Sequence, residues 1–177
     1  MKKIIFSAVV AMCSLAANAQ IWMGGSLGFG IKDKDNANSV TKFAISPEVG
    51  YTLNENWDVA VAINTQFTSV EDGDNTNTFS VSPYARYTFA KAGNVSFFLD
   101  GGFVIGSTND NGNGTKMDSH MTWSVGVRPG IKVAVADNLA FVSKLGLIGY
   151  KDVEDSYSEF GFKADNTALS FGMYWNF

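Results

Sequence analysis

Apolar and polar residues alternate along most of this chain, in eight blocks. The first, residues 21–31, sets Ile21, Met23, Leu27, Phe29 and Ile31 on one face. The next three are 42–53, 57–67 and 78–89, with rows such as Phe43, Ile45, Val49, Tyr51 and Leu53. Blocks 95–106, 121–135 and 139–150 continue the pattern, the last through Leu139, Phe141, Leu145 and Leu147. The final block, 167–177, carries Leu169, Phe171, Met173, Trp175 and Phe177. A period of two marks a β-strand, because successive side chains leave opposite faces of the pleat. All these apolar positions are odd-numbered. The even face carries Ser46, Glu48, Asp58, Asn64, Gln66, Ser80, Arg86, Asp100, Arg128, Lys132 and Lys144, with glycines between them.

The connections alternate in length. Residues 54–56, 91–94 and 136–138 have the chemistry of tight hairpin turns, whereas 32–41, 69–77, 107–120 and 151–166 are longer and polar. Three hairpins repeat one plan: a proline on the descending strand (Pro47, Pro83 or Pro129), apolar alternation, a tight turn and a rising strand. Proline removes a ladder donor, so these positions predict local bulges on the apolar side.

Two architectures share this pattern. In a soluble sandwich or barrel the odd face is the core. In a transmembrane barrel it meets lipid, and the even face fills a polar interior. Segregation of tight turns from long loops favours the membrane form. So does aromatic placement. Tyr51, Trp57, Tyr87, Phe89, Phe141, Trp175 and Phe177 fall near the tight turns, while Phe29, Phe43, Phe67, Phe79, Phe103 and Trp123 fall near the long loops. Small aliphatics lie between, as two interfacial girdles require.

The even-face charges also form a layer. Counted from turn centres at 55, 93 and 137, Glu48, Arg86, Asp100 and Lys144 each lie seven residues away, and Arg128 nine. At about 3.3 Å per residue and a tilt of about 40° they stand roughly 15–20 Å above the turns. Pairing symmetric about residue 93 sets Arg86 across from Asp100. A closed interior needs such pairing, because unpaired charges desolvate at high cost.

The first nineteen residues bound the domain. A basic start (Met1–Lys3), the apolar run 4–12 and the small-x-small end Ala17–Ala19 fit a secretory signal peptide, with the barrel from Gln20 to Phe177. Cys13 is the only cysteine, and it leaves with that peptide, which excludes a disulfide framework or a cysteine–metal site. Removing Lys2 and Lys3 from the 13 basic residues leaves 11 against 17 acidic, a formal net charge of −6. That balance argues against a nucleic-acid partner.

The eight amphipathic blocks, the interior charge set Glu48, Arg86, Asp100, Arg128 and Lys144, and the terminal strand Phe171, Met173, Trp175, Phe177 resemble the OmpA/OmpX-like family of small outer-membrane β-barrels. The resemblance covers the whole chain after the signal. It implies an all-β, eight-stranded antiparallel up-and-down transmembrane barrel in a Gram-negative outer membrane, monomeric and without cofactor. It further implies that the terminal strand is read by the barrel-assembly machinery, and that lipids and lipopolysaccharide surround the wall. The interfacial girdle is assigned to Tyr51, Trp57, Tyr87, Phe89 and Trp123. A peptidoglycan anchor is not implied by the resemblance.

Several functions compete within this frame. The first is a structural or surface-interaction barrel whose interior is filled by side chains, Phe98, Tyr84, Tyr150 and Tyr174 among them. A narrow ion path stays open to it if Arg86 exchanges between Asp100 and Glu48. The extracellular partner is unknown. A lipid-modifying enzyme would need a Ser/His/carboxylate set, and His120 is the single histidine, with Ser119 and Ser124 nearby. The Asp/Asn runs 71–77 and 109–114 suit oxygen ligands but lack the bidentate glutamate of a full calcium loop. Acidic loops would also suit divalent bridging to lipopolysaccharide. The contrasting alternative is a secreted soluble barrel whose odd face encloses an apolar ligand.

Overall fold

The computed structural model describes residues 21–34, 37–70, 75–111, 119–153, 157–163 and 169–177. They form ten strands: β1 (Ile21–Lys34), β2 (Ala37–Thr52), β3 (Trp57–Val70), β4 (Asn75–Ala92), β5 (Val95–Asn111), β6 (Ser119–Ala136), β7 (Leu139–Lys144), β8 (Leu147–Val153), β9 (Tyr157–Lys163) and β10 (Ser170–Asn176). Every pairing is antiparallel, and each of β1 to β6 is one stave of a barrel. β7 and β8 share the seventh stave, both on β6, and β9 and β10 the eighth. β10 closes the ring against β1, from Trp22 opposite Asn176 to Gly28 opposite Ser170. The last residue is tied in as well, the Phe177 amide donating to the Ile21 carbonyl at 3.0 Å. This is the eight-stranded up-and-down barrel that the alternation implies.

Local chemistry sets the register. The β4–β5 turn has two residues, and Gly93 adopts φ 59°, which a primed hairpin turn requires at its first position. A shift between Thr88 and Ala90 then moves the pairing by one, so that Arg86 stands opposite Asp100. A matching shift lies between Ala134 and Ala136 beside the β6–β7 turn. The prolines behave differently from the expected bulges. On either side of Pro47 and Pro83 the register is unchanged; the ladder toward the following strand simply lapses, because the ring nitrogen has no proton to donate. The Pro129 carbonyl still accepts from the Leu145 amide at 2.9 Å, and the ladder stops there.

Three further features depart from the sequence expectation. The segments read as long polar loops are largely strand: β1 and β2 take up most of 32–41, and β9 stands inside 151–166. Period two continues through them with polar side chains, so hydropathy does not distinguish a wall that leaves the lipid from a loop. Second, the odd–even rule fails on the seventh stave. Beyond Gly146, Val127 pairs with Ile148 and Val125 with Tyr150, a slip of one residue. Such a slip transfers a whole strand to the opposite face. Ile148 therefore points outward at 47% exposure, Leu147 borders the lumen, and Tyr150 packs outside on Trp123 at 5.3 Å between ring centroids. The interior placement of Tyr150 is thus corrected. Third, above Gly28 and Ser170, β1 pairs with β2 alone and β9 with β8 alone among the described residues.

The odd face points outward over the rest of the barrel, with Val61, Ile63, Val81 and Val125 all near two-fifths to one-half exposed. Aromatic rows bound this band. Phe29, Phe43 and Phe67 are consecutive cross-strand partners at one end. At the other, Trp57 pairs with Tyr87 at 4.8 Å between ring centroids. Eight residues of β2, from Phe43 to Tyr51, separate the ends, roughly 20 Å along the barrel axis at a tilt of about 40°. An outer-membrane barrel has an apolar band about 25 Å tall. Phe89, like Trp123, is exposed on this face. An odd face turned inward around an apolar ligand is not what the chain builds.

Candidate functional site

The lumen is where the even face converges. Glu48, Arg86, Asp100 and Lys144 lie on β2, β4, β5 and β7, and all four are under a tenth exposed. Arg86 donates to Asp100 from Nε at 2.6 Å and from Nη2 at 2.8 Å, a bidentate fork. Lys144 Nζ reaches Glu48 Oε1 at 2.9 Å and Oε2 at 2.8 Å, and Asp100 Oδ2 at 3.6 Å. Two cations thus face two carboxylates, and the set is neutral.

Hydroxyls complete it. Tyr84 and Tyr174 both donate to Glu48, Tyr174 at 3.1 Å, and Ser26 donates to the other oxygen at 3.5 Å. Arg86 Nη2 also donates to the Tyr174 oxygen at 3.1 Å. Burying four ions inside a protein is costly unless each is paired and hydrogen-bonded. Here Glu48 has Lys144 and three hydroxyl donors, and Asp100 has the Arg86 fork with Lys144 at 3.6 Å.

Below this set, toward the short turns, the lumen is packed with rings. Trp22, Ala60, Phe98, Val142 and Tyr174 form one buried cluster. Trp22 stacks on Tyr174 at 4.4 Å, and the Arg86 guanidinium lies 3.9 Å from the Phe98 ring centroid. Cation–π contact of this kind stabilises a desolvated guanidinium. The wall makes room for these rings with glycine. A Cβ at Gly50 would stand 2.2 Å from the Trp22 indole, and one at Gly130 2.3 Å from Phe98. Above the set the lumen is hollow. A cavity of about 370 Å³ extends up to Lys42, Gln66 and Thr78, lined by serines, glycines and alanines.

Arg128 belongs to a different arrangement from its four companions. It is half-buried, borders the cavity, and makes no ion pair or hydrogen bond among the described residues. Sequence reasoning missed Trp22 and Asp58. Trp22 is an even-numbered aromatic beside the odd row, and that parity was the signal that could have found it. Asp58 lies close to its turn, yet strand tilt sets it directly opposite Arg86. Its carboxylate accepts from Thr52 at 2.7 Å.

The other candidates separate in space. His120 pairs with Thr108 across the wall. Ser124, buried and four residues along the same strand, is about 13 Å away at 3.3 Å per residue. Among the described residues no serine hydroxyl is hydrogen-bonded to His120. No group of three or more His, Cys, Asp or Glu is placed to hold a metal among the described residues. The Asp/Asn runs 71–77 and 109–114 lie partly, and residues 1–19 with Cys13 wholly, outside the described residues. The terminal row Phe171, Met173, Trp175 and Phe177 points outward, at 62%, 51%, 45% and 69% exposure.

Comparison with known proteins agrees with this geometry. The crystal structure of Neisserial surface protein A superposes with a TM-score of 0.59 at 16% identity, covering 90% of this chain and 97% of that one. Ail, the attachment invasion locus protein of Yersinia pestis, superposes at 0.52 and 15% identity, with the same coverage. These likenesses concern the fold. No curated protein matches the sequence. The family model of the outer membrane protein beta-barrel domain matches residues 4–177. An outward apolar band between aromatic rows, a buried ionic lumen and that match lead to one assignment: the chain belongs to the outer membrane protein β-barrel family.

Proposed function

We propose that this outer-membrane barrel is a monomeric, side-chain-filled protein whose role is structural or lies in what its extracellular end touches. One observation carries the reading. The ion set of Glu48, Arg86, Asp100 and Lys144 stands across the lumen on a floor of Trp22, Phe98 and Tyr174. A solute crossing the barrel would have to displace both. An ion path would require Arg86 to leave Asp100 for Glu48, which Lys144, Tyr84 and Tyr174 already hold. Eight strands enclose an interior only wide enough for side chains.

In this reading residues 1–19 are an export signal removed on secretion, and residues 20–177 form the barrel. The row Phe171, Met173, Trp175 and Phe177 is the segment that the assembly machinery reads, and Tyr51, Trp57, Tyr87, Phe89 and Trp123 sit at the lipid interfaces against phospholipid and lipopolysaccharide. Chemistry on lipids is disfavoured by the distance between His120 and Ser124. The test is extraction followed by conductance. The protein needs detergent to leave the membrane and migrates differently on SDS gels before and after boiling. In planar bilayers it gives no large, long-lived open channel. Solubility in plain buffer would defeat the membrane reading, and a porin-sized conductance would defeat the filled interior.

A further inference from the structure

Four ionisable residues lie along one cross-strand row of the wall. Asp58 is opposite Arg86, Arg86 opposite Asp100, and Asp100 opposite Arg128. The signs alternate, and opposite charges directly across a ladder attract. The pairing within the row is unequal, however. Arg86 takes both oxygens of Asp100, and Asp58 accepts from Thr52. Arg128 is left at the end of the row without an ion pair or hydrogen bond among the described residues.

The next position explains why. The β6–β7 register ends at Gly130 and Lys144, and the β6–β8 register, one residue out, begins at Val127 and Ile148, so Arg128 stands at the slip, with Gly146 and Leu147 across from it. An acid there would complete the alternation, but one of these residues has no side chain and the other is apolar. Arg128 and Gly146 both border the 370 Å³ cavity.

The surroundings select what would enter. Glu48 and Asp100, the acids that border the cavity, are already neutralised by Lys144 and Arg86, whereas Lys42 adds a second cation higher up. This local excess of positive charge runs against a chain of formal net charge −4. Ser82, Thr122, Ser124 and Asn64 supply hydroxyl and amide donors on the same walls. A planar guanidinium presents paired donors that match two oxygens of one oxyanion, and hydroxyls suit the remaining oxygens. At about 30 Å³ per water, the cavity has room for such an anion with part of its hydration shell.

We propose that the upper lumen binds a phosphate group, held by Arg128 at the position that Gly146 leaves open. The group could arrive free through the mouth. It could also arrive on a single-chain amphiphile.

The chain has only two arginines, Arg86 and Arg128, so the Nε–H region of a ¹⁵N spectrum contains one probe and one internal control. Folded barrel in non-ionic micelles is titrated with inorganic phosphate, and separately with micelles doped with a single-chain phosphate monoester. Sodium chloride at matched ionic strength is the blank. The Arg128 signal shifts and saturates while that of Arg86 holds still. Gly146→Glu supplies the missing acid from within and abolishes the shift, and Arg128→Lys weakens binding about tenfold or more, since the fork is lost. Saturation with inorganic phosphate identifies a free solute, and saturation with the amphiphile alone a lipid source. A linear response in both titrations of the unaltered protein overturns the proposal, whatever the variants do. So does an equal shift in folded Gly146→Glu.

Discussion

The two halves of the lumen are built from the same residue types and end up opposite in character. Both are rich in glycine, alanine and serine on the even face. In the lower half the small residues stand against large ones: Gly50 faces Trp22 and Gly130 faces Phe98 with no space for a Cβ. In the upper half Gly28, Ala44 and Ser46 border a cavity, and no ring reaches them; a Cβ at Gly28 would make only ordinary contact with its neighbour Ala44. A small residue therefore has no fixed meaning on a barrel wall. Its role depends on whether a ring from another strand reaches it. The ion set marks the boundary, with packed aromatics beneath it and unfilled polar wall above.

That contrast ranks the expected effects of substitution. The largest belongs to the boundary itself. Asp100→Asn leaves Arg86 buried without its carboxylate, and breaking a buried pair by removing one partner typically costs about 3–5 kcal/mol. Urea titration in micelles, followed by the folded gel band, measures it; a loss below about 1 kcal/mol would mean that water reaches Arg86. Next comes the outer wall. Val61→Arg, midway between the aromatic rows, destabilises by about 2–4 kcal/mol, whereas Thr41→Arg, above Phe43, changes stability by about 1 kcal/mol or less. Equal effects at the two positions would show that the aromatic rows do not bound the lipid.

Smaller effects sharpen the contrast within the lumen. Gly130→Ala forces a methyl into the Phe98 ring and costs about 1–3 kcal/mol. Gly101→Ala, on the outward face with nothing within 4 Å of the added carbon, is by comparison neutral or slightly stabilising. The smallest effect is in the cavity. Ser46→Ala, half-buried on the cavity wall, stays within about 0.5 kcal/mol. A cost as large as that of Gly130→Ala would mean that the upper half is packed after all.

The fold was legible because a barrel repeats one rule eight times. Period two in 21–31 through 167–177 identifies the strands, and aromatic rows such as Phe29, Phe43 and Phe67 identify the lipid boundary. The meeting of Arg86 with Asp100 follows from counting outward from Gly93, helped by a one-residue shift at Thr88–Ala90 that compensates for the two-residue turn. Other features were hidden for physical reasons. Residues 151–166 read as a loop because Lys151, Asp152, Glu154, Asp155, Glu159 and Lys163 charge the segment that contains β9. The slip at Gly146 is invisible in hydropathy, since Leu147 and Ile148 are both apolar and either could face outward. Asp58 looked remote from Arg86 because residue counts ignore strand tilt. The prolines signalled a missing donor correctly, but a lapse in the ladder accommodates that without a bulge.

The central claim is a lumen hollow above the ion set and sealed below it. Single cysteines at Ser46, half-buried on the cavity wall, and at buried Ala60, introduced with Cys13→Ser, test it with a membrane-impermeant thiol reagent added to the folded barrel in bilayers. The account predicts rapid modification of Ser46→Cys and protection of Ala60→Cys until the protein is unfolded. Equal labelling of both sites in the folded protein would contradict it.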